Sequence, residues 1–229
     1  MKLRSTLAFV VLALVFSCAH MHPRVPELRS HDVEAELTLL LQVVCATDLF
    51  GNNDEFTNFD LERRYGSAVV IDGRHALTAE HVVDCPSGQR LIRGTLPDGH
   101  HMIMTVDRED HDHDIARVVV QADAGFGLLV STPIVSTVRA GDTVCSSVAY
   151  PKRGWNCGAV QNVDPDIAIG DIRGWWRTVP GNSGSGLYRD GALVGIVVQH
   201  RWCGEPGKSE ACGGNATGLF GIHDDWFNK

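Results

Sequence analysis

From residue 37 onward, no apolar run in this chain is long enough to make a helix of ordinary length. The strand-length units cover 37–45, 67–71, 75–78, 115–120, 143–149, 159–163 and 192–198, and the pattern between them is broken by Gly, Asn and Asp. Segments of that size bury their side chains only by pairing edge to edge, which points to an all-β domain. Asp-Gly and Pro-Gly pairs punctuate the runs at Asp72-Gly73, Asp98-Gly99, Pro180-Gly181 and Asp190-Gly191. Arg189-Asp-Gly-Ala192, set between two apolar runs, predicts a two-residue hairpin. The one stretch with a trace of helical period, 33–41, reads equally well as a leading strand. There is no internal repeat and no low-complexity tract.

The first residues read differently. Lys2 and Arg4 precede an unbroken apolar run from Leu7 to Phe16, followed by Ser17, Cys18 and Ala19. A positive start, a short apolar stretch and small residues after it describe an export signal, too short to be a comfortable bilayer span. Two cuts are readable: before Cys18, where Val15-Phe-Ser-Cys18 resembles a lipoprotein box and Cys18 would carry a lipid anchor, or after Ala19. The expected organisation is a signal at 1–17, a tether at 18–36, one barrel at 37–132 and a second at 133–229. No other stretch is apolar enough to span a bilayer as a helix, so no transmembrane span is expected. The chain is placed outside the cytoplasm, as a secreted, periplasmic or cell-envelope protein, including an outer-membrane lipoprotein.

Composition supports that placement and excludes a class of partner. The chain carries 20 Lys+Arg against 28 Asp+Glu, a formal charge of −8, so it has no basic surplus with which to displace counterions from nucleic acid. Seven cysteines are many for a reducing compartment. Setting Cys18 aside leaves Cys45, Cys85, Cys145, Cys157, Cys203 and Cys212, an even set suited to disulfides. None of them forms a closely spaced metal-binding pair, so structural zinc is not expected.

Three segments carry the chemistry. The first runs from Gly66 through Ala76-Leu-Thr-Ala-Glu-His81-Val-Val; the second is Asp112-His-Asp114-Ile-Ala-Arg-Val; the third is Pro180-Gly-Asn-Ser183-Gly-Ser-Gly-Leu187. Each alone is weak. In this order, each beside a strand pattern, the chain resembles the trypsin-like (chymotrypsin-fold) serine peptidases, closest in motif to bacterial secreted glutamyl-endopeptidase and HtrA-type protease domains. Gly141-Asp-Thr-Val-Cys-Ser-Ser-Val-Ala-Tyr-Pro151 is similar to the stretch that opens the family's second barrel.

The resemblance implies two antiparallel six-stranded β-barrels with the active site in the cleft between them, and hydrolysis of peptide bonds through an acyl-enzyme without metal or cofactor. Ser183 would be the nucleophile, His81 the base and Asp114 the orienting acid. A serine hydroxyl is a weak nucleophile until an imidazole takes its proton, and the imidazole needs a partner that fixes its tautomer. Asp112 is the other candidate for that acid; Asp114 matches the family pattern because Ile115-Ala116 follow it. The amides of Gly181 and Ser183 would form the oxyanion hole. Arg177 falls at the floor of the primary specificity pocket, and Val198, Gln199 and His200 along the edge that pairs with a peptide substrate. Arg177 with His200 would favour an acidic side chain, although the histidine of glutamyl-specific enzymes is Val197 here. The implied bridges are Cys203–Cys212, Cys145–Cys157 and Cys45–Cys85. Trp175 and Trp176 are expected to pack on the second barrel.

The chain departs from the family at three places. Glu80 replaces a small residue before His81 and would either point in toward the imidazole or out to solvent. Gly186 replaces a proline. Asn182 stands where digestive enzymes carry an aspartate that pairs with a freed N-terminus, so no activation of that kind is expected. The tract Asp110-His-Asp-His-Asp114 alternates potential metal ligands, but on an extended chain its Asp and His side chains would face opposite ways. The rival to an enzyme is a non-catalytic binding module on the same fold.

Overall fold

The computed structural model describes residues 38–46, 61–86, 89–121, 137–149, 154–167, 169–203, 210–219 and 226. The leader, Cys18, the tether and the junction expected at 132/133 lie outside the described residues, as do the side chains of His200, Cys203 and Cys212.

Two closed six-stranded barrels make the fold, as expected. The first contains β1 (Thr38–Ala46), β2 (Leu61–Val70), β3 (His75–Ala79), β4 (Arg90–Thr95), β5 (His101–Asp110) and β6 (Ile115–Val120). Its strands run β1-β2-β3-β6-β5-β4, and β4 closes back on β1. The second contains β7 (Thr143–Val148), β8 (Gly154–Val163), β9 (Ile172–Gly174), β10 (Gly186–Arg189), β11 (Ala192–Cys203) and β12 (Glu210–Gly218). Its order is β10-β11-β12-β9-β8-β7, and every pairing in both barrels is antiparallel. The ambiguous 33–41 stretch resolves as a strand over its described part. The helix α1 (Glu80–Val83) is a single turn that follows β3.

Three clusters of buried side chains explain the sequence pattern. One fills the first barrel with Leu39, Leu41, Val43, Ile92, Met104 and Val118 among others. Another fills the second barrel around Trp176, Val144, Ile172, Leu187 and Val194. The third is a seam in which Val69, Ile71, Leu77 and Ile115 of the first barrel meet Tyr188, Leu193, Ile196, Leu219 and Trp226. The second half of β2 (66–70), β3 and β6 are thus covered on both faces and read as nearly continuous apolar runs, whereas β4 and β5 face water on one side and alternate. The hairpin predicted at Asp190-Gly191 is present: Arg189 pairs with Ala192, and both turn residues have positive φ (51° and 79°).

Two of the expected bridges are formed. Cys45–Cys85 ties β1 to the segment after α1, with Cα atoms 5.4 Å apart. Cys145–Cys157 joins paired positions on β7 and β8, with Cα atoms 3.9 Å apart. Of the two tryptophans, only Trp176 enters the second barrel; Trp175 is half exposed. Gly186 has a local cause, because a Cβ there would lie 2.5 Å from Cε2 of Tyr188, whose ring stands edge-on to Trp155. The proline suggested by the resemblance has no room.

Candidate active site

His81 sits on α1, at the end of β3, and Asp114 at the end of the β5–β6 turn, immediately before β6. Because β3 and β6 are neighbours, with Ala79 opposite Ile115, the two side chains are delivered to one end of the first barrel. The Glu80 amide donates to the Asp114 carbonyl at 3.1 Å, which fixes the turn against the helix. The Asp114 carboxylate is buried and accepts twice from His81. Its Oδ1 takes the backbone N–H at 2.9 Å and lies 3.0 Å from ring Nδ1, and its Oδ2 lies 2.8 Å from the same nitrogen. A carboxylate so placed keeps the proton on Nδ1 and leaves the Nε2 lone pair facing out. Asp112, the other candidate acid, is exposed.

Ser183 belongs to a loop folded against β2. The Ser67 amide donates to the Ser183 carbonyl at 2.8 Å, and Ser67 Oγ donates to the Gly181 carbonyl at 3.1 Å. Gly181 and Gly184 take φ of 94° and 85°, in the left-handed region that favours glycine. With those carbonyls turned back onto β2, the amides of Gly181 and Ser183 have no protein acceptor among the described residues. Ser183 Oγ donates to the Val198 carbonyl at 3.4 Å, and among the described residues it makes no hydrogen bond to the imidazole.

The remaining candidates divide. Val198 is buried within the first barrel's cluster, so only its backbone faces Ser183. Beyond Val197, β11 pairs with β12 on one side, while β10 pairs with β11 only as far as Ile196 on the other. Among the described residues, that leaves the other side of β11 at 198–200 without a strand partner. Arg177 is exposed; its neighbour Thr178 turns inward, with Oγ1 donating to the Gly213 carbonyl at 3.0 Å.

Two readings of the acidic segment change. Residues 111–114 form a turn rather than an extended strand, so Asp110 and His113 meet instead of facing apart. Asp110 accepts from the His113 amide at 3.1 Å and lies 2.8 Å from its Nδ1. Glu80 takes neither expected direction. It is buried, with Oε1 2.9 Å from Nδ1 of the exposed His111 but off the hydrogen-bonding direction, so that oxygen has no hydrogen-bond donor. Burial pushes its carboxyl above the usual range, the nearby His111 opposes that, and Asp84, Asp114 and Glu109 add to it. The motifs gave no sign of Thr78, whose Oγ1 donates to the Ser67 carbonyl at 2.7 Å behind Gly184, or of Thr217, whose Oγ1 donates to the His113 carbonyl at 2.7 Å.

The family described as Trypsin-like peptidase domain matches residues 66–196, from β2 into β11. No match is found among curated proteins. Among solved structures, the HtrA-type protease AlgW with decapeptide is similar in two forms. A serine-to-alanine variant gives a TM-score of 0.61 at 18% identity over 83% of this chain and 63% of that one. A second AlgW structure gives 0.57 at 20% identity over 79% and 60%. The chain therefore spans less than two thirds of either neighbour, and at such identities the likeness carries the fold alone. The family match takes in more than half of the chain, including His81, Asp114 and Ser183, and the chain belongs to the trypsin-like peptidase domain family.

Proposed function

We propose that this protein is an exported serine endopeptidase that cleaves peptide bonds through an acyl-enzyme, with His81, Asp114 and Ser183 as its triad. The observation that carries the reading is the carboxylate of Asp114 held on both the backbone and ring nitrogens of His81. In the proposed sequence the peptide pairs with β11 beside Val198 and His200, and the hydroxyl of Ser183 turns from the Val198 carbonyl to His81 Nε2. Nε2 takes the proton as Oγ attacks the substrate carbonyl, and the Gly181 and Ser183 amides receive the developing oxyanion. Returning that proton to the leaving amine gives the acyl-enzyme, and water then hydrolyses it by the same route. A preference for acidic side chains through Arg177 and His200 belongs to this proposal; a peptide library cleaved without enrichment of Glu or Asp before the scissile bond refutes that part. Export is supported by the disulfides and by the leader sequence, and a lipid on Cys18 is tested by mass spectrometry of the mature N-terminus.

The second reading, a binding module on the same fold, draws on the Ser183 hydroxyl being bonded to the Val198 carbonyl instead of the imidazole. Labelling by a fluorophosphonate separates the two. Labelling and proteolysis that vanish together in Ser183→Ala support the enzyme; an unlabelled, inert wild type refutes it.

A further inference from the structure

We propose that Thr217 is a positioning residue for Asp114, acting from the second barrel through the carbonyl of His113; the inference rests on the triad reading above. Thr217 lies on β12 and is fully buried. Its Oγ1 donates to the His113 carbonyl at 2.7 Å and accepts the Gly170 amide at 3.2 Å. A hydroxyl has a single proton. Since Gly170 supplies a hydrogen to the oxygen, the proton of Thr217 is committed to His113.

Behind this strut the second barrel is tightly tied. The adjoining carboxylate, Asp171, is buried, and its Oδ1 accepts the amide of Gly218, the residue after Thr217, at 2.6 Å. The segment leading into β9 is thereby fixed to the end of β12, and Thr217 projects from that joint across the barrel boundary.

The target is the peptide that controls Asp114. Asp114 has φ of 52°, a left-handed conformation uncommon for a residue with a side chain, which persists only where the surroundings hold it. The 113–114 peptide plane is one of the two that define this angle, and its carbonyl is the group that Thr217 holds. On the other side, Asp110 holds the His113 amide and Glu80 holds the Asp114 carbonyl. Without the hydroxyl, the 113–114 plane is free to rotate, and the carboxylate swings with it away from His81.

The test compares wild type, Thr217→Val, Thr217→Ser and Ser183→Ala in steady-state peptide cleavage and in the rate of fluorophosphonate labelling, with thermal unfolding as the check on folding. Thr217→Val is expected to lower kcat and the labelling rate by about 10- to 100-fold with KM within about twofold, the signature of a misplaced catalytic group. Thr217→Ser, which keeps the hydroxyl, restores both rates to within about threefold. A folded Thr217→Val with wild-type kcat, an effect on KM alone, or no rescue by serine overturns the proposal. If the valine variant does not fold, Thr217→Cys, with a weak donor in place of the hydroxyl, is read against Thr217→Ser by the same criteria. A reactive wild type silenced by Ser183→Ala, beside an unaffected Thr217→Val, removes this inference and leaves the triad; an inert wild type removes both.

Discussion

Replacing Asp114 by asparagine keeps the shape of the side chain and tests the proposed chemistry at a single atom. The carboxylate offers two acceptors: Oδ1 takes the His81 amide at 2.9 Å and lies 3.0 Å from ring Nδ1, and Oδ2 lies closer to Nδ1, at 2.8 Å. An asparagine offers one acceptor and one donor. The backbone amide is fixed as a donor, so the amide oxygen must face it; the reverse placement sets two donors against each other in a buried site. The NH2 then takes the place of Oδ2, 2.8 Å from Nδ1 and nearer than the oxygen at 3.0 Å; a ring N–H would clash with it, so Nδ1 accepts. The proton moves to Nε2, the nitrogen that has to receive the serine proton. A wrong tautomer of this kind costs about 10⁴-fold in turnover, or about 5 kcal/mol of transition-state stabilisation. The assay is kcat on a peptide substrate near pH 7 together with the fluorophosphonate labelling rate, with thermal unfolding to confirm that the fold persists. Asp112→Asn, at an exposed position, is the control and stays within about twofold. An Asp114→Asn enzyme within tenfold of wild type, or an Asp112→Asn enzyme crippled in its place, refutes the reasoning.

Other sites give expectations of a different kind. Gly184→Ala places a Cβ against the Ser67 carbonyl and Thr78 Oγ1 at a φ of 85°, and is expected to cost at least about 3 kcal/mol in denaturant unfolding. Burial raises the Asp171 carboxyl from 3.8 to about 6, despite the Gly218, Ile172 and Asp171 amides that lower it. The folded chain thus keeps a proton that the unfolded chain gives up. The stability from this group is full below pH 4, falls through pH 6 and is lost above it, by up to about 3 kcal/mol. Asp171→Asn should flatten that part of the pH–stability curve, and an unchanged curve refutes the assignment. Reducing Cys45–Cys85 or Cys145–Cys157 should each cost about 2–4 kcal/mol, and non-reducing peptide mapping should find Cys203 joined to Cys212 as the third bridge.

The sequence marks a strand well where burial decides it and poorly where pairing does. Residues 115–120 are read to the residue because β6 is covered on both sides. By contrast, β8 begins at Gly154, five residues before its apolar run, because its first half is held by the ladder and disulfide to β7 rather than by buried side chains. The polar start of β2, with exposed Glu62, Arg63 and Tyr65, likewise exists because β1 lies beside it. At three residues, β9 carries no period at all; it is a strand because β8 and β12 flank it. The candidate site divides along the same line. The motif residues are legible because each is anchored to a strand: His81 and Asp114 at the paired ends of β3 and β6, and Ser183 through its carbonyl to Ser67 of β2.

Glu80 shows why the residues around them are not legible. Spacing along the chain offers it two directions, toward His81 or toward water. Its own amide is bonded to the carbonyl of Asp114, so the orientation of its backbone is set by the β5–β6 turn, and that same turn presents His111 to its carboxylate. The deciding contact comes from a turn whose shape depends on Asp110 capping His113 and on Thr217 reaching over from the second barrel. Thr217 lies 104 residues from His113 along the chain, and the two meet only after both barrels have closed. The surroundings of His81 are therefore a property of the barrel junction, and substitutions on β12 should alter them as surely as substitutions beside the histidine.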